Sequence, residues 1–192
     1  MSSRLDPLEP GEVNDEEANR ILEASEEEWY RDSAYFGAIA HQPRMLSRLV
    51  ELFRLFPTSS SIDAEILELM RLRIAAVHRC AYCGTVRNWE VRDEVAPKED
   101  AIFSDDVDES KFTRRELLAV RIAEYMSRDP QDISDEFFVE LHEEFSDEEI
   151  LELVLFAGLE VGLDRLCIAF RLTPTERSPY PADVEYPLDF ET

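Results

Sequence analysis

Lysine is almost absent from this sequence. Only Lys98 and Lys111 are present, and the other 18 basic residues are arginines. No stretch offers the roughly 18 uninterrupted apolar residues that a membrane span needs, and the first residues lack the apolar core of a signal peptide. These absences predict a cytoplasmic protein with no membrane segment.

Cysteine is also scarce, with three residues in the chain. An odd number of cysteines in a reducing compartment makes a structural disulfide framework improbable. Two of the three, Cys80 and Cys83, form a Cys-x-x-Cys pair. The close pair therefore indicates a redox or metal-binding function.

Acidic residues, in contrast, are abundant: 44 acids against 20 bases give a formal net charge of -24. This charge argues against nucleic acids and anionic membranes as partners. Dense carboxylates with few lysines are typical of proteins from halophiles, in which they keep a surface hydrated at high salt. An ordinary acidic protein is the alternative.

The chain length of 192 residues is sufficient for one domain with a sizeable core. Helix signals occur along most of it and strand signals are rare, so the fold class is predicted to be all-α. We expect an N-terminal tail at 1–13, a helical domain at 14–171 and a proline-rich tail at 172–192. That last tail is expected to be disordered or laid along a partner chain.

The first half of the domain is predicted to contain four helical blocks. Asn14 with Glu17 forms a capping-box pattern for a helix to about residue 27, and residues 29–56 form two helices broken at Pro43. Pro57 and the serines after it end this block. Helical periodicity predicts a helix over 62–78, and another is expected from Cys80 to about residue 95.

Residues 96–110 are predicted to be a surface connection. Beyond it, Thr113, Ser134 and Ser146 are the expected N-caps of three further helices. The helix from Ser146 is apolar almost all round, so we expect it to be the central buried element or part of a subunit interface. Gly158 and Gly162 would permit a close neighbour there.

The chemistry of the cysteine pair follows from its position. At a helix start, free backbone N–H groups stabilise a thiolate, and the two sulfurs are close enough to form a disulfide. Arg79 and Arg87 would favour the thiolate further, while Gly84 leaves access open. A zinc half-site and two inert buried thiols are the alternatives; zinc would need four ligands, and only His78 and Cys167 remain to complete the set.

Glu68 adds a second element of the pattern, because it lies twelve residues before Cys80. With the helical context of 62–95 and the pattern over 114–166, this Glu-x11-Cys-x2-Cys spacing resembles the carboxymuconolactone decarboxylase family. The resemblance is specifically to its alkyl hydroperoxidase AhpD-like branch, and it covers about two thirds of the chain.

The resemblance implies an all-helical bundle assembled into a symmetric trimer or hexamer. It implies that Cys83 attacks a peroxide, that Cys80 resolves the intermediate, and that Glu68 belongs to a proton relay. A dihydrolipoyl or thioredoxin-like partner would reduce the resulting disulfide. No cofactor or metal ion is implied.

One position departs from the family pattern. The relay histidine expected four residues after the second cysteine is Arg87 here, and arginine cannot accept a proton at physiological pH. Arg87 could lower the pKa of Cys83 by its charge, or pair with Glu68. His78 is the only nearby imidazole, and a histidine at a helix end more often caps or packs.

Glu68 also has a simpler interpretation, an ion pair with Arg71 on a solvated helix face. In a straight helix, twelve residues would hold it about 18 Å from Cys80, so the relay requires a chain break near 78–80. Cys167 is expected to be a core residue. Five aromatic residues are candidates for an apolar pocket or for the core: Tyr30, Tyr35, Phe36, Tyr82 and Trp89.

The sequence thus predicts an AhpD-like thiol-disulfide oxidoreductase that reduces a peroxide or another oxidised substrate. Two alternatives remain. One is a cofactor-free acid-base enzyme of the decarboxylase type, in which the cysteines are dispensable. The other is a non-catalytic oligomeric binding protein, which the arginine at position 87 favours.

Overall fold

The protein is represented by a computed structural model that describes residues 3–56, 62–105 and 107–189. All regular structure in these ranges is helical, as predicted. Pro57 and the serines that follow it lie outside the described residues. The main helices are α1 (Glu16–Ala24), α2 (Ala34–Ile39), α3 (Pro43–Phe53), α4 (Ala64–His78), α5 (Ala81–Thr85), α6 (Arg92–Val95), α7 (Glu99–Phe103), α8 (Arg114–Ser127), α9 (Asp135–Glu144) and α10 (Asp147–Phe170).

Local capping signals locate most helix starts correctly. Thr113 and Ser146 each form a complete capping box, and the Ser134 side chain accepts from the Phe137 N–H. Pro43 is the first residue of α3, as expected from its fixed φ angle. The start of α1 is the exception, because Asp15 rather than Asn14 provides the capping carboxylate.

The central buried helix is α4, not the helix from Ser146. Every residue from Ile66 to Ala76 is buried, including two arginines and one glutamate, and α4 packs on both α8 and α10. In contrast, α10 exposes Leu151 (67%) and Leu155 (48%) in this single chain, and nothing lies near Gly162 within the described residues. The apolar composition of α10 therefore does not correspond to burial on all sides.

The main core lies between α4, α8, α9 and α10, with Met70, Leu118, Ile122 and Leu153 fully buried. A second cluster joins α1, α2 and α3. A third surrounds α7, where Ile102 is buried and the Arg73 guanidinium donates to the Ile102 carbonyl. Residues 96–110 are thus partly core, not only a surface connection.

The first and last described segments of the chain both contact the helical body. The Arg4 and Leu8 N–H groups donate to the carbonyls of Phe170 and Gly37. Near the other end, the Leu188 N–H donates to the Arg79 carbonyl. The C-terminal segment 172–189 therefore packs on its own chain. This placement differs from both expectations for the tail, which were disorder and packing along a partner chain. Among the described residues, no helix is long and apolar enough to cross a membrane.

Candidate functional site

The cysteine pair lies where the chain reverses direction between α4 and α5. Arg79 ends α4 in the left-handed region, with φ 55° and ψ 42°, which provides the break that a return of the chain requires. Cys80 caps α5, and its Sγ accepts from the Cys83 N–H at 3.4 Å. The two Sγ atoms are 2.8 Å apart, and both cysteines are free and buried.

The helix that begins at the cysteines is much shorter than predicted. It ends at Thr85, since Val86 is extended. The reason is the Arg71 side chain, which donates to the carbonyls of Cys83 (2.7 Å) and Val86 (2.8 Å). These carbonyls are therefore held by a side chain from α4, and the chain leaves the helical path after one turn.

The surroundings of the two thiols shift their pKa values in opposite directions. Burial raises the pKa of Cys83, and the neighbouring Cys167 and Cys80 raise it further. Burial also opposes ionisation of Cys80, but hydrogen bonds with Cys167, Cys83 and Tyr186 outweigh it and lower its pKa. In this geometry the pKa of Cys80 therefore lies below its usual range and that of Cys83 above it.

Glu68 and Arg71 form an ion pair, but on a buried face and not a solvated one. Arg71 Nε and Nη2 each donate to one Glu68 carboxylate oxygen at 2.7 Å, and both side chains are less than a tenth exposed. The Asn88 N–H donates to the same carboxylate at 3.1 Å. The pair thus ties α4 to the loop after the cysteines.

Arg87 forms contacts away from Glu68. Its guanidinium donates to both carboxylate oxygens of Glu99, at 2.8 and 2.9 Å, and also to the carbonyls of Gly84 and Val86. The expected pairing with Glu68 does not form. The pKa of Cys83 is raised and not lowered, so the charge of Arg87 does not produce a Cys83 thiolate in this geometry.

Two acids that the sequence interpretation missed lie on α10 beside the thiols. A carboxylate oxygen of Asp164 and the two Sγ atoms lie within 4.8 Å of one another. Asp164 Oδ2 is 2.7 Å from His78 Nδ1. Glu160 lines the same cavity one turn earlier. An available signal was the i, i+4 spacing of these acids within residues 153–164, which are otherwise apolar.

Both of these acids are set for proton transfer near neutral pH. Burial raises the pKa of Glu160 to about 7, with Arg71 opposing the shift and Asp164 adding to it. Burial likewise raises the pKa of Asp164 to about 6, with the His78 hydrogen bond opposing it. Carboxyl groups with such pKa values can both accept and release protons under ordinary conditions.

A cavity of about 580 Å³ opens beside Cys83. Four of the five aromatic candidates line it, namely Tyr30, Tyr35, Phe36 and Tyr82, whereas Trp89 does not. The Tyr35 hydroxyl is buried and has no hydrogen-bond partner within the described ranges. The cavity therefore offers an apolar aromatic surface next to a thiol and two acids. Such a composition is typical of small-molecule sites.

The C-terminal segment covers the opposite side of the cysteine pair. The Tyr186 hydroxyl lies 3.9 Å from Cys80 Sγ and donates to the Leu172 carbonyl. The Leu188 side chain occupies the space beside Gly84, where an added Cβ would lie 2.3 Å from its Cδ2. Gly84 therefore accommodates this segment, and does not leave the cysteines open to solvent as expected.

Cys167 is buried, as expected for a core residue, but it also contacts the pair. It lines the cavity and belongs to the same buried cluster as Cys80 and Cys83. Cys80, Cys83 and Asp164 have donor atoms that metal ions accept, yet two thiolates on one tetrahedral zinc ion lie about 3.8 Å apart. The observed 2.8 Å between sulfurs is shorter, so the arrangement fits a dithiol better than a shared ion.

Comparisons with known proteins support the fold. No protein-family model and no curated protein matches the sequence. Among solved structures, the chain is similar to an alkylhydroperoxidase AhpD core protein from Ralstonia eutropha JMP134, which is described as an uncharacterised peroxidase-related protein. The TM-score is 0.71 at 18% sequence identity, and the match covers 91% of this chain and 93% of that one.

Two further structures extend this comparison. The debrominase Bmp8, solved in complex with 2,3,4-tribromopyrrole, has a TM-score of 0.71 at 17% identity, with 92% of this chain and 94% of that one covered. A putative antioxidant defence protein AhpD from Agrobacterium tumefaciens has a TM-score of 0.57 at 18% identity, with 69% and 92% covered. The chain therefore has the AhpD-like fold, and proteins with this fold include one with a different activity.

Proposed function

We propose that this protein is a thiol-dependent peroxidase of the AhpD-like type. The observation that carries the proposal is the placement of two thiols 2.8 Å apart, with Cys83 in the wall of an aromatic cavity. Cys83 contacts the cavity and is therefore the attacking thiol. Cys80 lies behind it, 3.9 Å from the Tyr186 hydroxyl, and is the resolving thiol.

The reaction follows from the two thiols. The Cys83 thiolate attacks the distal oxygen of a hydroperoxide, an S–O bond forms, the O–O bond breaks, and an alcohol leaves. Cys80 then attacks the sulfenic sulfur of Cys83, which releases water and forms the disulfide. Overall, two thiols and one hydroperoxide give one disulfide, one alcohol and one water. A dihydrolipoyl or thioredoxin-like protein restores the dithiol by exchange.

The cavity indicates the substrate class. Its volume of about 580 Å³ is far larger than hydrogen peroxide requires, and its aromatic lining favours an apolar organic group. We expect bulky organic hydroperoxides such as cumene hydroperoxide to react faster than hydrogen peroxide. The remaining elements of the proposal are a cytoplasmic location, a symmetric homo-oligomer and a halophilic host.

The test combines alkylation with peroxide treatment, in high salt to maintain the fold. In the dithiol protein, stoichiometric cumene hydroperoxide should convert Cys80 and Cys83 to a disulfide, identified by mass mapping that also distinguishes pairs with Cys167. The Cys83→Ser variant should lose all turnover, whereas Cys167→Ser should keep it. Full activity in the Cys83→Ser variant would instead favour the acid-base enzyme. If the thiols of the wild-type protein do not react at all, the result would favour the binding protein.

Reductive dehalogenation is a second candidate, favoured by the large aromatic cavity and by the debrominase with the same fold. Here a thiolate would take the bromine from a ring-protonated aryl bromide, and the second thiol would displace bromide to form the disulfide. The products are the debrominated arene, bromide, one proton and the disulfide. Bromide release from a bromopyrrole, with no consumption of hydroperoxide, would identify this activity.

A further inference from the structure

The proposed reaction requires a group that removes the Cys83 proton, because burial raises the pKa of this thiol. Two groups named by the sequence are poorly placed to do so. Arg87 is a cation bound to Glu99. The Glu68 carboxylate is held by two hydrogen bonds from Arg71 and one from Asn88, so protonating it would break a buried ion pair.

Asp164 is placed differently. Its side chain is 3% exposed, and a carboxylate oxygen lies within 4.8 Å of both sulfurs. His78 holds Oδ2 at 2.7 Å, while Oδ1 is buried and has no hydrogen-bond partner in the described part of the chain. A buried carboxylate oxygen without a donor is unusual, because leaving it unsatisfied costs free energy. The arrangement is explained if Oδ1 is the oxygen that receives a proton.

His78 fixes the orientation of this carboxylate. Its Nδ1 lies 2.7 Å from Asp164 Oδ2, and its Nε2 lies 3.3 Å from the Ser127 carbonyl oxygen. The ring is thereby held between Ser127 and Asp164, and Oδ2 is engaged. His78 thus acts on the carboxylate and not on the thiol. The ionisable groups around Asp164 are His78 on α4, Cys80 and Cys83 on α5, and Glu160 and Cys167 on α10.

We propose that Asp164 is the proton acceptor for the Cys83 thiol and the proton donor to the leaving oxygen, with His78 as its positioning residue. This inference rests on the proposed peroxidase function and assigns a group to its proton-transfer step. Asp164 takes the Cys83 proton as the thiolate forms. The thiolate then attacks the hydroperoxide, and the departing alkoxide takes the same proton to leave as alcohol.

The pKa of the carboxyl group supports this assignment. Burial raises the pKa of Asp164 to about 6, so at neutral pH the group is mostly ionised and still close enough to neutrality to return a proton. General acid-base catalysis of this kind contributes about 10² to 10⁴-fold in rate. We therefore expect a loss of about 100-fold when the carboxylate is removed.

The experiment measures two rates in parallel on the full-length dithiol protein: alkylation of Cys83 by iodoacetamide across pH, and single-turnover disulfide formation with cumene hydroperoxide. The Asp164→Asn variant keeps the shape but cannot accept a proton. Its disulfide formation should slow about 100-fold at pH 7, and its alkylation profile should move to alkaline pH. The Glu148→Gln variant, on the exposed part of the same helix, should match the wild type.

A second variant separates chemistry from folding. Asp164→Ala leaves a space beside the cavity, and added acetate should restore its rate in proportion to acetate concentration, which a purely structural role would not produce. Unchanged alkylation and disulfide rates in Asp164→Asn, or no acetate response in a folded Asp164→Ala, would overturn the inference. If wild-type alkylation depends on Asp164 but peroxide forms no disulfide, the proton acceptor stands and the peroxidase proposal fails.

Discussion

The two walls of the thiol site both contain buried carboxylates, but they hold them in opposite ways. On α4, Glu68 is neutralised by Arg71 and saturated with hydrogen bonds. On α10, Asp164 keeps one oxygen unsatisfied and Glu160 has a raised pKa. The first wall is built to stay charged and fixed, whereas the second is built to exchange protons. The glutamate of the sequence motif thus belongs to the rigid wall.

The largest effect should come from breaking the rigid wall. The Glu68→Gln variant leaves Arg71 as an uncompensated buried cation, so the free energy of unfolding should fall by about 3–5 kcal/mol. Urea denaturation measures this loss. The Glu51→Gln variant is the matched control, because Arg48 and Glu51 form an ion pair with the same spacing on the exposed surface. It should produce no measurable change, and equal losses in the two variants would contradict the comparison.

Glu160, on the α10 side of the site, should make the free energy of unfolding depend on pH. Burial raises the pKa of the Glu160 carboxyl group from 4.5 to about 7, so the folded protein binds this proton more tightly than the unfolded chain does. As pH rises through this window, the unfolded state loses its proton first, and the contribution to stability falls. The Glu160→Gln variant should therefore be more stable than wild type by about 1–3 kcal/mol at pH 8, and equal to it at pH 4.

Denaturation curves at the two pH values give this difference directly. The Glu148→Gln variant serves again as the control, since its side chain is exposed on the same helix. A constant difference between Glu160→Gln and wild type at both pH values would mean that Glu160 does not titrate in this window.

The smallest effect is expected at position 87. The Arg87→His variant restores an imidazole but loses the contacts to Glu99, at a cost of about 1 kcal/mol. If Asp164 handles the Cys83 proton, the single-turnover rate should change by less than about threefold. A tenfold acceleration would show that the missing histidine limits the rate, and would shift the proton-transfer role away from α10.

The sequence predicts the features that depend on neighbouring residues. Thr113, Ser134 and Ser146 cap their helices as predicted, because each cap is a contact over three residues. The chain reversal that brings Glu68 toward the loop after the cysteines was also recognised as a requirement. Local signals are sufficient for the caps, whereas the reversal follows only as a requirement of a Glu68 relay.

The features that the sequence interpretation got wrong depend on distant contacts. The helix from Cys80 ends early because Arg71 takes two carbonyls of the next loop. Asp164 was overlooked because its partner His78 lies 86 residues away in sequence. The burial of α4 was underestimated for a related reason: its charged residues find their partners only in the folded chain, so an apolar pattern alone does not reveal its central position.

The two tryptophans of the chain are neighbours, since the Trp89 N–H donates to the Trp29 carbonyl at 2.9 Å, but their side chains have different surroundings and each can serve as a fluorescent reporter. Trp29 lines the cavity. Trp89 lies between the guanidinium groups of Arg31 and Arg92, each 3.8 Å from its ring, and its Nε1 donates to Tyr180 of the C-terminal segment. Emission from Trp29 should therefore follow ligand entry, and emission from Trp89 should follow the packing of the C-terminal segment, each measured in a variant in which the other tryptophan is replaced by phenylalanine.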